Sequence, residues 1–129
     1  MTPDLRYLVL SALLCLLLWV PYIVALIRTR GNNPDDYRDP PGPNHSAFLK
    51  RANRAHLNLV ENLAIFAVLV LVVHLTDGAT EGTALASAAF FWSRVAHAVV
   101  FWAGWPYVRT LVFSIGWIAN LYLAYVLLS

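Results

Sequence analysis

Arg51, Arg54, Asn58 and Glu61 recur at spacings of three and four in the run Arg51-Ala-Asn-Arg54-Ala-His-Leu-Asn58-Leu-Val-Glu61-Asn62. On a helix they fall within about 80° of one another, one polar stripe on one face. Guanidinium groups take carboxylates in bidentate fashion, an amide adds a further hydrogen bond, and a carboxylate can face an ammonium. Such a set suits a small polyanion that also carries an amino group. The stripe leads straight into Leu63-Ala-Ile-Phe-Ala-Val-Leu-Val-Leu-Val-Val73. Polar groups at the head of so apolar a stretch are costly in lipid and are expected to face protein or ligand.

A second set lies further along, with Arg94 and His97 at i and i+3 and Arg109 beyond a Gly104-Trp105-Pro106 break. Arg94 sits within a span-length window, where an unpaired arginine costs roughly 2.5–3.5 kcal/mol. It lies about 15 Å along a helix from Gly104, near the middle of the window. Arg54 is about 33 Å and Glu61 about 22 Å from Thr76, so Glu61 is the intramembrane carboxylate nearest to Arg94. An Arg94–Glu61 ion pair is expected. Two readings of these groups stay open: interhelical polar contacts that set helix register, or the wall of a ligand site. For Arg28, Arg54 and Arg109 the alternative is anchoring at one membrane face.

The elements that must position these groups are written in the composition. The chain has 129 residues, 60% hydrophobic and 12% charged, with a mean hydropathy of +0.62. That charged fraction is about half that of a soluble domain, and four windows are long enough to cross a bilayer. The expected architecture is an all-α integral membrane protein, one four-transmembrane-helix bundle with helices at about 5–27, 46–76, 83–104 and 106–128. A cytoplasmic loop occupies about 28–45. The first window is too long for a signal-peptide apolar core and no small-x-small site follows it, so it is read as a retained span. Pro21 lies inside it, and Asn44 or Ser46 is expected to cap the second helix.

Basic residues cluster between the first and second windows (Arg28, Arg30, Arg38, Lys50, Arg51, Arg54), and Arg109 lies between the third and fourth. The connection Thr76-Asp-Gly-Ala-Thr-Glu-Gly82 has none. The positive-inside rule therefore places both termini on the non-cytoplasmic side. A net charge of +2 is too small to suggest nucleic acid. Small residues on the third window, such as Ala86, Ala89 and Ala96, permit close helix approach. So small a bundle has little interior volume for a ligand, and an oligomer would supply the missing wall. Cys15 is the only cysteine and is expected to be a buried, inert thiol. His45, His56, His74 and His97 lack ligand spacing, so no metal site is expected.

Taken together, Arg54-Ala-His-Leu-Asn58-Leu-Val-Glu61-Asn62 resembles the second-helix signature of the membrane-associated proteins in eicosanoid and glutathione metabolism, the MAPEG family. Arg94-Val-Ala-His97 followed by Arg109 resembles that family's second motif, and Arg28-Thr-Arg30 with Asn33-Pro34-Asp35-Asp36 is similar to its first loop. The resemblance implies a homotrimer that binds glutathione as co-substrate at subunit interfaces near the cytoplasmic side, beside a lipophilic substrate admitted from membrane lipids. It implies that Arg28, Arg54, Asn58, Glu61, Arg94 and His97 hold glutathione and that Arg109 stabilises its thiolate. Phe101 and Phe113 stand where active relatives carry tyrosines, and Leu57 where some carry another arginine.

The function expected is a glutathione-dependent transferase or peroxidase acting on lipophilic electrophiles, in a bacterial inner membrane. The alternatives are a non-catalytic lipid-binding or scaffold protein of the same fold, and a cation-coupled exporter using Glu61. The arginines around Glu61 argue against the exporter, because they would repel a cationic substrate.

Overall fold

The computed structural model describes residues 1–30 and 46–129. Four helices account for almost all of them: α1 (Pro3–Arg30), α2 (Ala47–Leu75), α3 (Glu81–Ala103) and α4 (Pro106–Leu128). All four are long and apolar enough to cross a membrane. At 1.5 Å per residue even the shortest runs about 34 Å, more than a bilayer's hydrocarbon core. The loop motif Asn33-Pro34-Asp35-Asp36, with Tyr37, Arg38, Asn44 and His45, lies outside the described residues. α1 continues through Pro21 and carries Arg28 on its last helical turn, so Arg28 belongs to a helix and not to the loop expected there.

Local chemistry sets the helix ends. Ser46 caps α2, its Oγ accepting from the Leu49 N–H at 3.1 Å. Of the two caps open in the sequence, Asn44 and Ser46, the hydroxyl is the one described. α3 begins with a reciprocal box in which Thr83 N–H donates to Thr80 Oγ1 at 3.2 Å and Thr80 N–H donates to Thr83 Oγ1 at 2.8 Å. Each hydroxyl satisfies a backbone donor that the first helical turn leaves without a partner. α3 ends at Gly104, whose φ of 78° lies in the left-handed region that favours glycine. Pro106 then opens α4, where its missing N–H costs nothing. So short a link forces α3 and α4 into an antiparallel hairpin.

α1 packs against α2 and α3, while α4 packs against α3 and α2. One core cluster joins Phe66, Val70 and Val73 of α2 to Ala86 and Phe90 of α3 and to Ala119 and Leu123 of α4. The Phe66 and Phe90 rings stack there at 4.0 Å. A second cluster, Leu18, Leu59 and Ala98, ties α1 to α2 and α3. Leu16, Leu111 and Ile118 point outward, 71%, 65% and 59% exposed, the outside-in pattern of helices that face lipid.

The buried surface also contains polar groups. Asp4 is 1% exposed and accepts a hydrogen bond from the buried Ser87 hydroxyl at 3.1 Å, pinning the start of α1 to α3. Cys15 is half-buried, with its Sγ 4.0 Å from His56 Nε2, and the His56 ring lies parallel to Tyr22.

Candidate functional site

Arg54 and Asn58 are one turn apart on α2, His97 and Phe101 one turn apart on α3, and Arg109, Thr110 and Phe113 occupy the first turns of α4. Their side chains line one polar groove of about 310 Å³. It opens beside the α3–α4 link, because the tight turn at Gly104 brings the end of α3 and the start of α4 together. Arg54 and Arg109 are exposed to it, whereas His97 is buried.

Aromatic rings pack against Arg109 and His97. The Arg109 guanidinium carbon lies 5.0 Å from the centre of the Phe101 ring, a cation–π distance. The His97 ring is tilted against Phe101 at 5.4 Å and against Phe113 at 6.2 Å. The groove thus combines two guanidinium groups and an amide with an aromatic floor that brings no hydroxyl. Thr110 supplies the one aliphatic hydroxyl among its lining residues.

Arg94 stands behind this groove, 2% exposed. It does not adopt the pairing with Glu61 expected from the sequence. Its Nη1 donates to Asn58 Oδ1 at 3.0 Å, its Nη2 to the Phe113 carbonyl at 3.0 Å, and its Nε approaches Ser93 Oγ at 3.5 Å. The Phe90 and Phe113 rings flank the guanidinium at 5.6 and 5.2 Å. The reason is rotational. Glu61 is three residues beyond Asn58, about 60° around α2, and this turns the carboxylate off the face that meets α3. Arg94 is therefore satisfied by neutral acceptors, and Glu61 is exposed on the outer side of α2 beside Val60 and Ile65.

The structure thus brings Arg54, Asn58, His97 and Arg109 together and places Arg94 in contact with Asn58. Arg28 lines a separate groove with Val20, Pro21, Val24 and Phe48. Glu61 lines neither. Thr110 and Gly116 are among the participants that sequence reasoning did not single out. Thr110 follows Arg109 directly and shares its helical turn, a signal that was readable. Gly116 was not readable, because its part depends on what crosses it: a Cβ there would lie 2.6 Å from Arg94 Nη2 and 2.7 Å from Ser93 Oγ.

The arrangement can receive a ligand rich in hydrogen-bond acceptors. Arginine offers only donors, and two guanidiniums at one rim suit carboxylates or a thiolate. No curated protein and no solved structure matches the chain. A family model described as the MAPEG family matches residues 7–129, nearly the whole chain. With four membrane-spanning helices and that match, this integral membrane protein belongs to the MAPEG family.

Proposed function

We propose that the chain is a glutathione-dependent membrane enzyme that conjugates lipophilic electrophiles or reduces lipid hydroperoxides. The observation that carries this reading is the groove itself, where donors from α2 and α4 meet at one end of the bundle. Arg54 and Asn58 would hold carboxylate or carbonyl oxygens of the tripeptide. Arg109 would lie beside the sulfur, where a fixed cation favours thiolate over thiol. In conjugation the thiolate forms a carbon–sulfur bond, the electrophile expels its leaving group, and the thiol proton goes to water. In hydroperoxide reduction two thiols are oxidised to a disulfide while the peroxide becomes an alcohol and water.

Among the described residues the groove has no carboxylate to face the ammonium of glutathione. Glu61, exposed among apolar neighbours on α2, would meet that need across a subunit boundary, and Arg28 would come from a neighbouring chain in the same way. An exposed carboxylate on a lipid-facing surface is costly, which supports a protein neighbour there. In this reading the protein is a homotrimer in a bacterial inner membrane, with the groove toward the cytoplasm and both termini on the other side. Charge placement in the sequence supports that orientation.

The test is turnover by purified protein. Conjugation of glutathione with a generic aryl halide, or glutathione-dependent reduction of a lipid hydroperoxide, is expected. Absence of both across several electrophiles and hydroperoxides would overturn the reading. A second reading, a non-catalytic lipid-binding member, has its own support. Phe101 and Phe113 give the groove rings without hydroxyls, and an apolar groove of about 410 Å³ lies between α3 and α4, lined by Leu85, Ala86, Ile115 and Tyr122. It predicts thermal stabilisation by lipid that does not respond to millimolar glutathione.

A further inference from the structure

Asn58 could present either its carbonyl or its NH2 to the groove, and the two choices select opposite ligand groups. Arg94 decides between them. A guanidinium has no acceptor, so the side-chain atom it contacts at 3.0 Å must be the oxygen, and the NH2 is left for the groove. What places the guanidinium there is Gly116. Gly116 lies one turn after Phe113 on α4, where a side chain would stand over the Phe113 carbonyl. Its missing Cβ opens a notch through which Arg94 Nη2 reaches that carbonyl at 3.0 Å. A Cβ at Gly116 would lie within 3.0 Å of Arg94 Nη2, Arg94 Nε and Ser93 Oγ. The backbone at Gly116 is ordinary helix, so the requirement is for space alone.

We propose that Arg94, seated in the notch left by Gly116, is a positioning residue that turns Asn58 to donate into the groove. The groove then accepts a ligand presenting anionic or carbonyl oxygens at Asn58, and not an ammonium. Naming glutathione as that ligand rests on the function proposed above, so the experiment has an arm that needs no ligand.

The first arm measures unfolding midpoints in SDS-titrated micelles. Asn58→Leu strands the Arg94 guanidinium and lowers the midpoint in the wild-type background. In a Gly116→Ala background the guanidinium is already displaced, and the same change has a clearly smaller effect. Equal effects in both backgrounds overturn the proposal. Should Gly116→Ala fail to fold, Arg94→Lys takes its place, because one ammonium cannot bridge Asn58 and the Phe113 carbonyl as the two-pronged guanidinium does.

The second arm titrates glutathione. Asn58→Asp keeps an acceptor for Arg94 and does not lower the unfolding midpoint, yet turns an oxygen toward the groove. Affinity is expected to fall by about tenfold or more, because the ligand oxygen loses one hydrogen bond and meets a repelling carboxylate oxygen in its place. Undiminished affinity in Asn58→Asp overturns the proposal. Coupling in the first arm without glutathione binding by the wild type sinks the glutathione assignment and supports the positioning role.

Discussion

Removing the small neutral partner of Arg94 should harm the protein more than removing Arg94 itself. Asn58→Leu keeps a branched side chain on α2 but leaves Nη1 of a guanidinium that is 2% exposed without its 3.0 Å acceptor. A hydrogen bond to a charged group contributes about 1.5–3 kcal/mol in water-soluble proteins. Interhelical bonds in membranes average nearer 0.6 kcal/mol with a maximum of about 1.7, because the unfolded helices also find partners. A buried cation that loses an acceptor belongs at the upper end, so about 1.5 kcal/mol is expected. Arg94→Met removes the charge together with its need for acceptors. The Phe113 carbonyl keeps its helical partner, the Asn58 oxygen can turn to the groove, and the thioether packs between Phe90 and Phe113 in place of the guanidinium. About 0.5–1 kcal/mol is expected there, at the low end for lost cation–π contacts partly replaced by sulfur–ring contacts. The double variant should cost little more than Arg94→Met alone, a coupling of about 1 kcal/mol. SDS-titrated unfolding in mixed micelles, followed by circular dichroism, reads all three. Additive costs, or Arg94→Met costing more than Asn58→Leu, would refute the account of Arg94 as a cation satisfied by neutral partners.

Other outcomes follow from the same geometry. Arg109→Ala should remove glutathione conjugation of an aryl halide while leaving the helical content unchanged; residual turnover near wild type would show that this cation does not serve the thiolate. Phe101→Tyr adds a hydroxyl beside Arg109 and should tighten glutathione about two- to tenfold by calorimetric titration, the range of one ordinary hydrogen bond. Asn120→Leu should stabilise the bundle by about 1 kcal/mol in the same SDS titration, since Asn120 is 7% exposed and its Oδ1 has no partner among the described residues.

Much of the fold was legible because membrane helices announce themselves. Charge-free windows of span length, the Gly104-Trp105-Pro106 break and a capping hydroxyl at Ser46 locate helices without tertiary information. The convergence of Arg54 with Asn58 was legible too, since residues at i and i+4 on one helix must share a face. The partner of Arg94 was not. Depth along the helix placed Glu61 nearest, but partner choice depends on the rotation of α2 about its own axis, and a difference of about 60° separates Asn58 from Glu61. Arg28 shows the same limit. Helical counting puts it near one membrane face, yet which groove it lines follows from α1 packing chiefly on α2 and α3. Gly116 was invisible for a different reason: a glycine in an apolar helix carries no signal until the guanidinium crossing it is seen.

Glutathione affinity, measured by titration on the purified protein and on Arg54→Ala, tests the central claim most directly. If Arg54, Asn58, His97 and Arg109 form one anion receptor, the wild type saturates at millimolar glutathione or below. The variant then binds about tenfold more weakly or worse, as expected for one lost charged contact. Equal affinity in the two proteins, or no saturable binding by either, would contradict it.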